Sequence, residues 1–260
     1  MLLCCVKQTK QIKKYTVMKT ELLVMLAALM LSVSGCKVSL CEDAELIEPS
    51  ENIVKAKYPQ AAFDKVENHV VGNIQLVQSN ESRVTLSAPE NYIDFFEFKN
   101  EDGTLDIRFK KDNVNIFTEN VTIIIYTPKL SKVKNSGASD VRMDSLKTDE
   151  IEIQNSGVGS FNMANIRARK VDVTCSGVGS ITLRGQADEA EYSCSGVGSI
   201  NAKELKAREV DASITGVGGV DCYASEFIKG RVTGVGGLKY GGHPERKDLH
   251  HSMTGGISEL

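Results

Sequence analysis

The phrase Ser-Gly-Val-Gly-Ser stands at residues 156–160, 176–180 and 195–199, and looser copies begin at Ser136, Thr215 and Thr233. Successive starts lie 20, 20, 19, 20 and 18 residues apart. A glycine loop that cradles a dinucleotide phosphate needs one copy between a strand and a helix. Six copies at a near-constant step mark an architecture built by repetition.

Aligning the copies shows what each repeat buries. The sixth position holds Val141, Phe161, Ile181, Ile200, Val220 and Leu238, and the eighth holds Met143, Met163, Leu183, Ala202, Cys222 and Tyr240. A spacing of two is a strand with one buried face. Later in each repeat a second alternating set follows: Ile151 and Ile153; Val171, Val173 and Cys175; Ala190, Tyr192 and Cys194; Val210, Ala212 and Ile214. Between the sets lie polar stretches with one recurring apolar position, Leu146, Ile166 and Leu205. Neither the leucine code of a leucine-rich repeat nor a helical period of 3.6 is present. The pattern predicts an all-β chain, a parallel β-helix-like solenoid with glycine corners every ~20 residues.

The phrase is then a corner. Its glycines are Gly157, Gly159, Gly177, Gly179, Gly196, Gly198, Gly216, Gly218, Gly234 and Gly236. They are expected to supply positive φ at the bend and room where stacked corners meet. The leading Ser or Thr can bond the corner backbone or its copy on the next coil.

Residues 136–260 form the repeats, and residues 53–135 are β-rich without the phrase. Runs such as SRVTLSA, TLDIRF and VTIIIYTP read as strands stacked on the repeats. They would cap the edge that a solenoid exposes. Residues 36–52, polar and acidic, read as a tether.

Residues 1–35 read as a leader. Met18 is the expected start, followed by a basic residue, an apolar run over residues 22–33 and Val33-Ser34-Gly35-Cys36. The run is too short to span a bilayer, which takes about 20 helical residues. The motif resembles a lipobox, with Cys36 acylated and made the new N-terminus. Residues 1–35 carry five lysines and one glutamate, so their removal takes the net charge from −3 to −7. Such a chain lacks the basic footprint of a nucleic-acid binder.

Cysteine and histidine offer little metal chemistry. No pair of cysteines has CxxC spacing. Cys175 and Cys194 each precede a corner and would be neighbours on successive coils. Two buried thiols are the favoured expectation and a disulfide the alternative. His243, His250 and His251 cluster in GGHPERKDLHH, read as a polar terminal loop and not a metal site. Candidates for catalysis are Asp140, Asp144, Asp172, Asp211 and Asp221, with Arg142, Arg167 and Arg184. They are also what a solvated outer face would carry.

The succession FDKVENHVVGNIQLVQ, TLDIRF, VTIIIYTPKLSKVKNSGASDV, the repeated corners and VDCYASEFIKGRVTGVGGLKYGG resembles the head GIN domain family of "putative auto-transporter adhesins" over about residues 60–260. The resemblance implies a β solenoid behind an export signal in a Gram-negative envelope. No paired acid and base stand out, no cysteine or histidine set has ligand spacing, and a solenoid offers broad faces, so the expected role is binding, towards glycan or envelope protein, without a cofactor. Where the family's corner commonly ends in an acid, this chain keeps only Asp140, which argues against a calcium-binding carboxylate column. A polysaccharide-processing enzyme and a purely structural envelope protein are the alternatives. The expected location is the outer membrane, facing either the periplasm or the exterior.

Overall fold

A computed structural model describes residues 46–111 and 114–260. The leader, Met18, the lipobox and Cys36 lie outside the described residues. Within them 71% of residues are strand, and the single helical element is a 3-10 turn at Glu90–Phe95. Eighteen strands form one continuous sheet. It winds into a β-solenoid of about 6 turns.

Register fixes the winding. Val141, Phe161, Ile181, Ile200, Val220, Leu238 and Ile257 are Cα partners in one parallel column, and all but Ile257 are fully buried. A second column, Ile151, Val171, Ala190, Val210 and Ile228, closes the opposite side of the core. Alternate residues point outward because side chains on a strand alternate faces. The uneven steps between phrases are absorbed away from the corners. Between Leu183 and Gly185 the coil runs one residue short of Met163–Ile166, and Gly185 takes φ +139° there.

The coil stack begins before the first phrase, but in an order the chain does not follow. Lys65–Asn68 and Val71–Gln78 pair in parallel with Lys132–Asn135 and Ala138–Met143, making residues 65–78 a coil beneath the first repeat. On their other side lie Thr104–Phe109 and Thr122–Thr127, also parallel. Residues 104–127 are therefore the outer coil, and residues 65–78 are sandwiched between them and the repeats. Antiparallel strands then close that end. Arg83–Pro89 runs against Thr122–Thr127, and Ile53–Pro59 runs against Arg83–Pro89. Aromatic residues fill the cap, with Phe96 and Phe109 ring centroids 5.1 Å apart and Tyr92 fully buried.

Two expectations are revised. The end of the tether is docked: Leu46–Ile47 pairs with Asn115–Ile116, and Tyr92 donates its hydroxyl proton to the Ile47 carbonyl at 2.6 Å. The polar terminal loop is in fact another coil. Arg246–His251 pairs with residues 227–232, and Gly255–Glu259 pairs with residues 236–240. Ser-Met-Thr-Gly-Gly at residues 252–256 is thus a further, degenerate corner.

Candidate functional site: corners and outer faces

The corners come first, because their glycines raised the question of a ligand. Backbone donors there point to neighbouring coils. Gly177 N–H donates to the Asn155 carbonyl at 2.9 Å, Val178 N–H to Gly157 at 2.9 Å and Val197 N–H to Gly177 at 3.0 Å. No set of free N–H groups converges to hold an anion.

Two constraints act on the glycines. Positive φ is found at the second of the phrase in Gly159, Gly179, Gly218 and Gly236, and not at Gly198, nor at Gly177 or Gly196 as expected. Closeness acts on both: a Cβ on Gly159, Gly179 or Gly198 would overlap a carbonyl oxygen of the neighbouring coil, and so would one on the first glycine. A Cβ on Gly177 would overlap the Gly157 carbonyl oxygen, and one on Gly196 would overlap that of Gly177.

Inside the first corners lies a polar column that the sequence did not disclose, giving way to cysteine and then to Ile214 and Val232 on later coils. Asn68, Asn135 and Asn155 are buried. The Asn68 amide donates to Asn135 Oδ1 at 2.9 Å, and the Asn135 amide donates to Asn155 Oδ1 at 3.1 Å. Asn155 also donates to the Gly159 carbonyl at 3.0 Å, tying the strand end to the far side of its own corner. Cys175 and Cys194 take the same slot on the next coils and are free thiols. Cys194 repeats the tie, its thiol 3.5 Å from the Gly198 carbonyl. Its hydrogen bond with Cys194, together with burial, pushes the Cys175 thiol up. The only signal for this column was Asn standing before the leading Ser of two copies.

The outer faces carry the charged candidates, and they fall into separate hollows. Asp140, Arg142 and Asp144 line one of about 460 Å³. There Asp140 accepts from the Ser160 N–H at 2.8 Å, and Asp144 pairs with Arg142 at 3.2 Å. Asp211 lines a second hollow of about 220 Å³ with Glu189, Glu191 and Glu209. Asp172 belongs to the same outward column, Glu152, Asp172, Glu191 and Asp211. Burial first, then Glu191 and Glu152, raises its carboxyl above the usual range. Asp211 is matched by Lys229 at 2.6 Å. Asp221 lies between Asn201 and Lys239 in another column. Arg184 donates to Asn162 at 2.9 Å.

Arg167 stands in a third hollow, of about 540 Å³. The candidate acids and cations are therefore spread over distinct faces. The histidines do not converge either. His243 pairs with Glu259 and His250 with Asp248, and among the described residues no group of metal-ligating side chains assembles.

With this geometry in view, comparison with known proteins is decisive at the level of family. The model for "Putative auto-transporter adhesin, head GIN domain" matches residues 62–244. The chain belongs to this family. Among solved structures, one described as a "putative adhesin" from Bacteroides fragilis is similar, with 32% identity and TM-score 0.79, covering 82% of this chain and 100% of that one. A "putative lipid binding protein" from Parabacteroides distasonis shares the fold at 21% identity and TM-score 0.65, covering 83% and 100%. A "putative adhesin" from Parabacteroides merdae does so at 20% identity and TM-score 0.58, covering 84% and 100%. A search of curated proteins gives no match. The head GIN match begins just before the coil at residues 65–78 and ends after the last full Thr-Gly-Val-Gly-Gly corner, so the family's unit includes both the out-of-order coils and the repeats.

Proposed function

We propose that this protein is a non-enzymatic, adhesin-like module of the cell envelope, held to the outer membrane through an acylated Cys36 and offering its solenoid faces to a glycan or another envelope protein. Support comes chiefly from one observation: a Bacteroides fragilis protein described as a "putative adhesin" aligns over its whole length with this chain at 32% identity. A solenoid suits binding because its flat faces vary from coil to coil while the core repeats. Glu42-Asp43-Ala44-Glu45, just past the expected anchor, resembles the acidic signals that send some lipoproteins to the cell exterior, and a polar linker explains it equally well.

Two measurements on cells test this. Cys36→Ser should abolish labelling by a fatty-acid analogue and release the protein from membranes. Protease added to intact cells should digest the domain. A domain that survives shaving yet is degraded after lysis faces the periplasm, and the adhesin-like role then fails.

A further inference from the structure

The hollow around Arg167 is a trough running along the coil stack. Ala168, Ala187 and Ala207, successive register partners, run along its floor, and Ala187 and Ala207 are buried, so no large side chain fills it. One rim is a single column, Lys147, Arg167, Gln186 and Lys206, also in register. All four are exposed. Beyond Lys206 the rim ends on Tyr223, whose ring centroid lies 3.7 Å from the Lys206 ammonium. Arg208 lines the trough too, fixed by Glu226 at 2.7 and 3.1 Å.

The rim cations differ from their neighbours in pairing. Arg169, Lys170, Arg184 and Arg208 are matched by Glu150, Glu191, Glu204 and Glu226. Among the described residues, none of Lys147, Arg167 and Lys206 has a carboxylate at salt-bridge distance. Coils stack about 4.8 Å apart, so the three cations are strung along about 14 Å of one edge. An open row of unpaired cations, with the lining acid Asp188 turned to Arg208 at 3.8 Å, favours an anionic, narrow and extended occupant.

We propose that this trough binds an acidic polysaccharide, its carboxylate or sulfate groups meeting Lys147, Arg167 and Lys206 and its rings lying along the floor between the two rims. This inference rests on the adhesin-like reading and names the ligand class. An acidic peptide is disfavoured because the backbone of this wall is spent on neighbouring coils and leaves no edge for strand addition. Single-stranded nucleic acid is disfavoured because its bases need aromatic platforms, and the one ring here is covered by Lys206. Gln186, between the cations, supplies donor and acceptor for a hydroxyl.

The test uses the chain from Cys36 with that cysteine replaced by serine. Titration with heparin, polygalacturonate, dextran and single-stranded DNA is followed calorimetrically. The inference expects binding to one or both acidic glycans, heparin alone indicating sulfate and polygalacturonate carboxylate, and none to dextran or DNA. Replacing Lys147, Arg167 and Lys206 together by alanine should weaken it about tenfold or more. It should also flatten the salt dependence by about two in the log–log slope. Replacing Lys203, Arg231 and Lys239, exposed on other columns, changes net charge equally and should leave binding intact. Equal losses in both triple variants, preference for DNA, or no binding to either acidic glycan would overturn the inference. Glycan binding indifferent to the rim variant would do so while leaving the adhesin-like reading in place.

Discussion

Replacing Gly177 by alanine puts a methyl group against the Gly157 carbonyl oxygen of the coil below, and both are backbone atoms that cannot turn aside. The expected loss is about 1–3 kcal/mol, measured by chemical denaturation. Val178→Ala, one residue away, should move stability by no more than about 0.5 kcal/mol because that side chain is 50% exposed. Tyr192 behaves in the opposite sense. Its hydroxyl is buried without a hydrogen-bond partner, so Tyr192→Phe should raise stability by about 1 kcal/mol. The same denaturation midpoints check both. That glycine was needed at the corner was legible from the repeat alone. That both glycines of the phrase face a carbonyl of the next coil, and that only the second takes positive φ, was not, because this depends on how two coils approach. The asparagine column was hidden for a related reason: Asn before Ser-Gly reads as a turn residue, and its inward direction follows only from the register.

At the scale of the strand, alternating apolar residues were sufficient to read the buried columns, since Val141 to Leu238 and Ile151 to Val210 are the sets the structure buries. The outward columns are where electrostatics acts. Glu152, Asp172, Glu191 and Asp211 repeat at the coil spacing, and Asp172 is the one whose carboxyl is raised, by burial and then by Glu191 and Glu152. A raised carboxyl means that the folded chain holds its proton more tightly than the unfolded chain. Its contribution therefore favours folding at acid pH and declines as pH rises from about 4 through the folded value. Asp172→Asn should consequently stabilise the protein at neutral pH, with the gain fading below about pH 4, as read from thermal midpoints across pH. Added salt should shrink the gain, because the side chain is partly exposed. The trough escaped sequence reading for a reason of the same kind. Lys147, Arg167 and Lys206 align only after the one-residue shortening at Gly185 and its restoration on the next coil.

For the whole molecule, the repeats were legible as a solenoid because local periodicity sets the coil. The stacking of residues 65–78 between residues 104–127 and the first repeat was not, since it is decided by pairings between distant strands. The antiparallel cap at Ile53–Pro59 and Arg83–Pro89 closes one end of the sheet and leaves the coil faces as the surface through which, on the proposed function, the molecule meets a partner. The central claim is that it does so by binding and not by turnover. The most direct measurement incubates the purified domain with a panel of acidic and neutral polysaccharides and reads, in the same sample, bound glycan and newly formed reducing or unsaturated ends. Saturable binding with no new ends over many hours is the predicted result. New ends that accumulate in proportion to protein and time would contradict it.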